Sequence, residues 1–184
     1  IQLRHEGPSH MVMPAIHLSR YQVADDFTKE TGVKQDAEDI QRLVKVARVQ
    51  LRRKFINGDM GISGCNFAVA EMGAVSTVTN EGNGRMVTTL PRVHVAIAGL
   101  DKLVPNLEVA LTALQVLPRN ATAQRLTAYA TFMAGAGECG ACEDNKKVMH
   151  VVFLDNGRTE IARDPLFSQI FRCVRCGACA NVCP

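Results

Sequence analysis

Tryptophan is missing from the 184 residues, and with two tyrosines and seven phenylalanines the aromatic share is only 5%. Charge of one sign is also scarce in excess: 21 basic and 18 acidic residues, mixed along the chain, leave a net charge of +3. Together these exclude the basic face interleaved with aromatics that nucleic-acid binding uses. Long apolar runs are missing too, since stretches such as Val93 to Leu100 fall far short of the roughly 20 residues that a membrane span requires. The Gly-rich stretch from Asn80 to Arg85 is neither a Gly-Lys-Ser/Thr phosphate loop nor a complete G-x-G-x-x-G, and no flavin or nicotinamide cofactor is expected. No signal peptide precedes the first element, which predicts a cytoplasmic chain whose cysteines stay reduced.

What is present, 47% hydrophobic residues in a chain of this length, suffices for one core plus a small appendage. Ile40, Leu43, Val44, Ala47, Leu51 and Phe55 recur at three- and four-residue spacing and predict a helix from Asp36 to Phe55, capped by Asp36 and stopped at Asn57-Gly58. "NFAVA" and "AVSTVTN" read as two strands joined in a hairpin through Glu71, Met72 and Gly73. A Gly-rich loop follows from Asn80 to Arg85. Then "RVHVAIAG" reads as a strand buried on both faces, and "PNLEVALTALQVLP" as a helix capped by Asn106, with Pro118 past its end. "LTAYATFMAG" and "VMHVVFLD" complete the strands, the latter closed by the Asn156-Gly157 turn. Strands mixed with helices predict an α/β layered domain around a mostly parallel sheet. Asp164 and Pro165 then start a short helix that delivers the chain to Cys173, so the boundary between the α/β domain and a cysteine segment falls near Arg163.

Four of the seven cysteines crowd into the last residues. Cys173, Cys176 and Cys179 stand three apart, and Cys183-Pro184 follows, giving the C-x2-C-x2-C-x3-C-P run of bacterial-type ferredoxins that bind [4Fe-4S] clusters. A thiolate at every third residue of a loop can wrap three corners of a cubane. Gly177 and Ala178 leave room for backbone N–H groups to approach its sulfurs. Zinc sites use two C-x2-C pairs with a longer span between them, and disulfides would leave the even rhythm unexplained. In two-cluster proteins the fourth cysteine of such a run ligates the other cluster, so Cys183 is expected to serve a second centre. Cys139 and Cys142 form a further C-x2-C without a third partner and read as an incidental pair of loop thiols. Cys65, at a strand entrance, reads as a small packed residue.

Outside the cysteines, the Asn80 to Arg85 loop is the most site-like feature. Its glycines let backbone approach a ligand, Glu81 can move protons, and Arg85 can grip a carboxylate with paired hydrogen bonds. The same loop is equally a tight turn whose polar groups satisfy one another. Glu71, at the hairpin, is the other candidate acid or base, or else a solvent-facing turn residue. His94 lies within an apolar strand and reads as a hydrogen-bonded core histidine. His5, His10 and His17 share no ligand spacing.

The stretches "MGISGCNFAVAE", "TNEGNGRMVTTLPRVHVAIAGLDKLVP", "VVFLDNGR" and "RCVRCGACANVCP", in that order, resemble the iron-sulfur subunits of bacterial L-lactate utilisation complexes, which carry the LUD domain. The resemblance covers the chain from about Leu3 onward. It implies a three-layer α/β fold similar to the sugar-phosphate isomerase and CoA-transferase group over residues 1–163, and the start of a ferredoxin-type segment over residues 164–184. It also implies oxidation of lactate to pyruvate, two [4Fe-4S] clusters, other subunits of a lactate-oxidising complex, and an electron donor or acceptor protein; any membrane association would be made through those partners. By this comparison the chain is expected to be an internal piece of a longer protein whose second cysteine run lies beyond Pro184. Lactate oxidation removes two electrons and each cluster carries one, so the expected role is electron relay, with the carbon chemistry elsewhere. The alternative is that the α/β domain itself binds a small carboxylate, as an isomerase-like or CoA-transferase-like enzyme using Glu71, Glu81 or Arg85, with the iron-sulfur segment as an accessory.

Overall fold

Ser19, followed three residues later by Gln22, is a helix-start signal that needs no apolar periodicity, and it opens the first helix, α1 (Arg20–Thr31). The Gln22 amide N–H donates to Ser19 Oγ at 3.4 Å while the Ser19 N–H donates to Gln22 Oε1 at 2.9 Å, closing a reciprocal capping box. A computed structural model of the chain describes residues 1–10, 13–137 and 146–183, apart from the side chain of Asn181. The described residues divide into two compact units, Ile1–Lys54 with Cys179–Pro184, and Phe55–Ala178.

α2 (Ile40–Ile56), all but its last two residues in the first unit, starts four residues later than its periodicity predicts. Asp36 accepts the N–H of Glu38 in a turn, and Asp39 takes over the cap by accepting the N–H of Arg42 at 2.9 Å. Of the predicted apolar stripe Leu43 is buried, whereas Ile40, Val44 and Leu51 are exposed.

The second unit holds β1 (Met60–Gly64), β2 (Phe67–Val69), β3 (Ala74–Thr79), α3 (Asn83–Thr89), β4 (Val93–Gly99), β5 (Leu103–Val104), α4 (Leu107–Thr122), β6 (Tyr129–Met133), β7 (Val148–Leu154) and α5 (Arg158–Arg163), after which α6 (Ala178–Val182) begins. The strands build two sheets in place of the single mostly parallel one predicted. β1, β4 and β7 form a parallel sheet with β4 in the middle, and β5, β2, β3 and β6 form a mixed sheet containing the predicted β2–β3 hairpin. Side chains alternate across a strand, and β2 shows the consequence: Phe67 and Val69 pack on Ala110, Leu114 and Leu117 of α4, while Ala68 joins Val75 and Ala96 of β4. Helix, mixed sheet and parallel sheet thus stack as three layers, and the α/β class expected from the sequence holds.

Two boundaries differ from the sequence reading for local reasons. The Gly-rich loop is shorter than predicted because Gly82, at φ 76°, turns the chain into α3. Pro118 lies inside α4, and Ala123 in the left-handed conformation ends the helix instead. A proline inside a helix costs about 3 kcal/mol. Burial of Leu114, Leu117, Pro118 and Ala121 along one side offsets that cost. β4 is also less enclosed than predicted, since His94, Ala96 and Ala98 are buried but Ile97, on its other face, is exposed.

His94 is the core histidine that the sequence predicts, 1% exposed, with its Nε2 sharing a 2.8 Å hydrogen bond with Ser63 Oγ of β1. Burial, aided by the charge of Lys147, pushes its pKa below the ordinary histidine value. The unfolded chain therefore takes up a proton that the folded chain refuses, so this contribution is fully present above about pH 6.5 and is lost as pH falls through the lower folded value. Urea titrations should show stability falling on acidification from about pH 7 to about pH 5, with a shallower fall in His94→Gln.

Candidate functional site

The cysteine loop begins from a capped turn. Asp164 Oδ1 accepts the N–H groups of Leu166 at 2.8 Å and Phe167 at 3.1 Å, starting a 3-10 turn over Phe167–Arg172, and the Cys173 N–H donates to the carbonyl of Ile170 at 3.1 Å. The predicted short helix is therefore the tighter 3-10 form. Beyond it the backbone turns sharply twice, at Arg175 with φ 58° and at Gly177 with φ 78°. A left-handed conformation at Arg175 costs about 1 kcal/mol or more and requires surrounding contacts to hold it. One is local: the Arg175 N–H donates to the Cys173 sulfur at 3.4 Å. Another is the docking of Val174 and Cys176 against the cluster of Phe67, Val69, Ala110, Leu114 and Leu117.

The four cysteines of the run differ in setting. Cys173, Cys179 and Cys183 are exposed and Cys176 is half-buried. Cys183 donates its N–H to the carbonyl of Cys179 at 2.9 Å across α6. Among the described residues, no group of three or more Cys, His, Asp or Glu is gathered closely enough to hold a metal ion. Ligand sets of this kind are commonly completed by the metal itself, because binding and local folding are coupled. What the loop supplies without a metal is its chemistry: soft thiol donors at ferredoxin spacing, a backbone N–H on one sulfur, and a left-handed glycine turn at Gly177 between Cys176 and Cys179. These fit an iron-sulfur cluster. Cys139 and Cys142 lie outside the described residues.

Beside the loop is a charged cluster that sequence reading missed. Asp101, only 6% exposed in its side chain, receives Arg158 Nε on Oδ1 at 2.5 Å and Arg175 Nη2 on Oδ2 at 2.9 Å, with Lys102 Nζ 3.8 Å away. Burial pulls the Asp101 pKa upward, but the Arg158 hydrogen bond and the charges of Arg175 and Lys102 outweigh it and hold the carboxyl below its usual range. Lys102 is pushed down, mainly by burial and then by Arg175; Asp101, Cys173 and Cys65 oppose that shift, which puts both thiols within electrostatic reach of its ammonium. Cys65 itself is a packed thiol, as predicted. Its S–H donates to the Phe67 carbonyl, and burial raises its pKa, which disfavours the nucleophilic thiolate. Gly99 makes room for the cluster: a Cβ there would fall 2.2 Å from Asp101 Oδ1 and 2.9 Å from Arg158 Nε.

The candidate residues of the α/β domain stand apart from one another. Glu71 lies in the turn before β3 and Glu81 and Arg85 lie after it, so the six-residue strand puts roughly 20 Å between them. Glu81 accepts from Thr79 Oγ1 at 3.2 Å, and the Arg85 guanidinium lies over the Tyr129 ring, 5.1 Å from its centre. Asn80 bonds Gln124 and the N–H of Ala128, while Asn83 accepts from Thr79 and Gly84. The polar groups of this turn therefore bond one another and the neighbouring Gln124 and Ala128. His17 is engaged with Glu6 and Ser9, and His10 accepts the N–H of Met13.

A family model for the LUD domain matches residues 4–154. The chain belongs to the LUD domain family. The matched span ends with β7, so the cysteine loop lies beyond it. Curated relatives of this LUD chain include "Lactate utilization protein B" of Shouchella clausii, 44% identical over 98% of the chain and 37% of the relative. "Uncharacterized electron transport protein YkgF" of Escherichia coli is 41% identical over 100% of the chain and 38% of the relative. The chain thus spans little more than a third of the length of these relatives. Among solved structures, a DUF162 family protein from Deinococcus radiodurans aligns with a TM-score of 0.41 at 17% identity, over 55% of this chain and 56% of that one. Among the described residues no helix is long and apolar enough to cross a membrane.

Proposed function

We propose that this LUD chain relays electrons through [4Fe-4S] clusters in the oxidation of L-lactate to pyruvate, with Cys173, Cys176 and Cys179 as ligands of one cluster and Cys183 as a ligand of a second. The observation that carries the reading is the ferredoxin-type spacing of the run, together with the Arg175 N–H directed at the Cys173 sulfur. The names of the relatives, one for lactate utilisation and one for electron transport, support the two halves of the proposal.

Conversion of lactate to pyruvate breaks one C–H and one O–H bond, forms a C=O bond, and releases two electrons and two protons. A bound cluster would take up and pass on one electron at a time. Because lactate gives up two electrons and each cluster carries one, the carbon step would fall to other subunits of a lactate-oxidising complex, with a separate protein donating or accepting electrons. Within this chain, Val174 and Cys176 would shield one side of the loop from water through the apolar cluster they join, and the Arg175 N–H would hold the first thiolate sulfur. A cytoplasmic setting, where thiols stay reduced, goes with this reading.

The test is anaerobic reconstitution with iron and sulfide, followed by iron and sulfide counting and electron paramagnetic resonance of the dithionite-reduced chain. Bound iron and sulfide with a reduced-state resonance are expected. A chain that keeps neither after desalting overturns the proposal.

A further inference from the structure

We infer that Asp101 is a positioning residue that docks the start of the cysteine loop onto the LUD domain by gripping Arg175, and so fixes the charged side chain of the residue that lies between the first two cysteines of the run. Residue 175 stands between Cys173 and Cys176, so whatever holds its side chain also limits where those thiols go. Its guanidinium is half exposed and would ordinarily sweep through solvent, yet it ends 2.9 Å from a carboxylate that is itself almost fully buried. An exposed ion pair is worth little, whereas a desolvated carboxylate that loses a charged partner is left at considerable cost. The asymmetry of exposure, 52% for Arg175 against 6% for Asp101, makes the acid the fixed end of the link and the arginine the part that is captured.

Three further features point the same way. Gly99 is needed for the approach, because any side chain there would occupy the space of Asp101 Oδ1 and Arg158 Nε. Arg158 fills the second oxygen of Asp101 and also donates to the Asp155 carbonyl at 2.9 Å, so the acid is aimed before Arg175 arrives. The Arg175 backbone is left-handed, a strained conformation for a side-chain-bearing residue that the captured side chain helps to hold. Around the single carboxylate stand three cations, Arg158, Arg175 and Lys102, so the anchor carries excess positive charge toward a loop whose metal-bound form is thiolate-rich. Net charge and hydrogen bonds to sulfur are among the factors that set a cluster's reduction potential.

The potential arm of this inference rests on the iron-sulfur reading above, while the docking arm does not, and the experiment separates them. Hydrogen exchange of the metal-free chain reports docking directly. In Asp101→Asn and in Arg175→Gln the amides of Val174 to Gly177 should exchange about tenfold faster, the factor that a charge-assisted hydrogen bond is worth, while β4 is unchanged. The double variant should be no faster than either single one, because both remove the same link. Arg175 lies at the surface, so Arg175→Gln tests the link even if Asp101→Asn fails to fold. Unchanged exchange in Arg175→Gln, or additive effects in a folded double variant, overturns the anchor. In the reconstituted chain Arg175→Gln should lower the midpoint potential, and Arg175→Lys should restore it. A potential that ignores the charge at residue 175 overturns the claim that the anchor fixes that charge beside the thiols. If no variant, nor the parent, assembles a cluster, the electron-relay reading fails, and the exchange data still decide the anchor.

Discussion

Cys173→Ser, Cys176→Ser and Cys179→Ser each strip iron from the reconstituted chain, whereas Cys183→Ser leaves most of it in place: this is the result expected if the run serves two clusters. The first three thiols are spaced for one cubane, and the fourth cysteine of such a run belongs to its neighbour. Losing a ligand should cost more than the roughly 10- to 100-fold in affinity that loss of an outer-shell partner costs. Cys173 gives the cleanest reading because it is exposed, while Cys176 also packs against the α4 core and its loss mixes ligation with stability. Iron content after desalting and the visible absorbance of the oxidised chain are the measurements. Equal loss in Cys183→Ser would mean that all four thiols close on a single cluster.

Gly61→Ala should be the most destabilising single-methyl addition in the Phe55–Ala178 unit. A Cβ at Gly61 would stand 2.0 Å from the carbonyl oxygen of Val87 and 3.1 Å from Pro91 Cγ, because the end of α3 lies directly on β1. Overpacking costs about 1–3 kcal/mol and occasionally more, and the obstacle here is backbone that cannot swing aside, so the upper end applies. In a chain of this size a loss of ~3 kcal/mol lowers the melting temperature by roughly 10 °C. Gly64→Ala is the control: it lies in the same strand with nothing within 4 Å of the added carbon and should behave like the parent. If the two variants melt together, α3 does not rest on β1 as described.

The elements that could be read in the sequence are those whose signal is local. The β2–β3 hairpin, β4, β7 and the Asn106 cap of α4 were visible because alternation, apolar runs and a capping side chain act over a few residues. α1 escaped notice because Ala24 is its one buried residue, which leaves no apolar stripe, although its Ser19/Gln22 box was there to be found. β1 was hidden by its two glycines, and α5 by its six-residue length. Pro118 reads as a helix stop by its own geometry, and only tertiary burial reverses that reading.

The candidate site divides in the same way. Ligand spacing is a property of sequence, so the four cysteines stand out; the Asp101–Arg175 link joins residues 74 apart, with no periodicity to connect them. The packed Cys65 and the histidine at 94 follow from apolar neighbours in sequence, whereas the contacts of the Asn80 to Arg85 turn with Tyr129, Gln124 and Ala128 exist only in three dimensions.

The middle position of β4 also ties the cysteine loop to the parallel sheet. Its pairings, Met60 with Val93 and Val93 with Val148, join segments far apart in sequence, and contacts of that kind form slowly. Asp101 follows two residues after β4 ends, and its partner Arg158 comes only after β7, so the anchor exists only once the parallel sheet has closed. The seating of the thiols at 173 and 176 thus depends on the closed parallel sheet, through Asp101 and its two arginines.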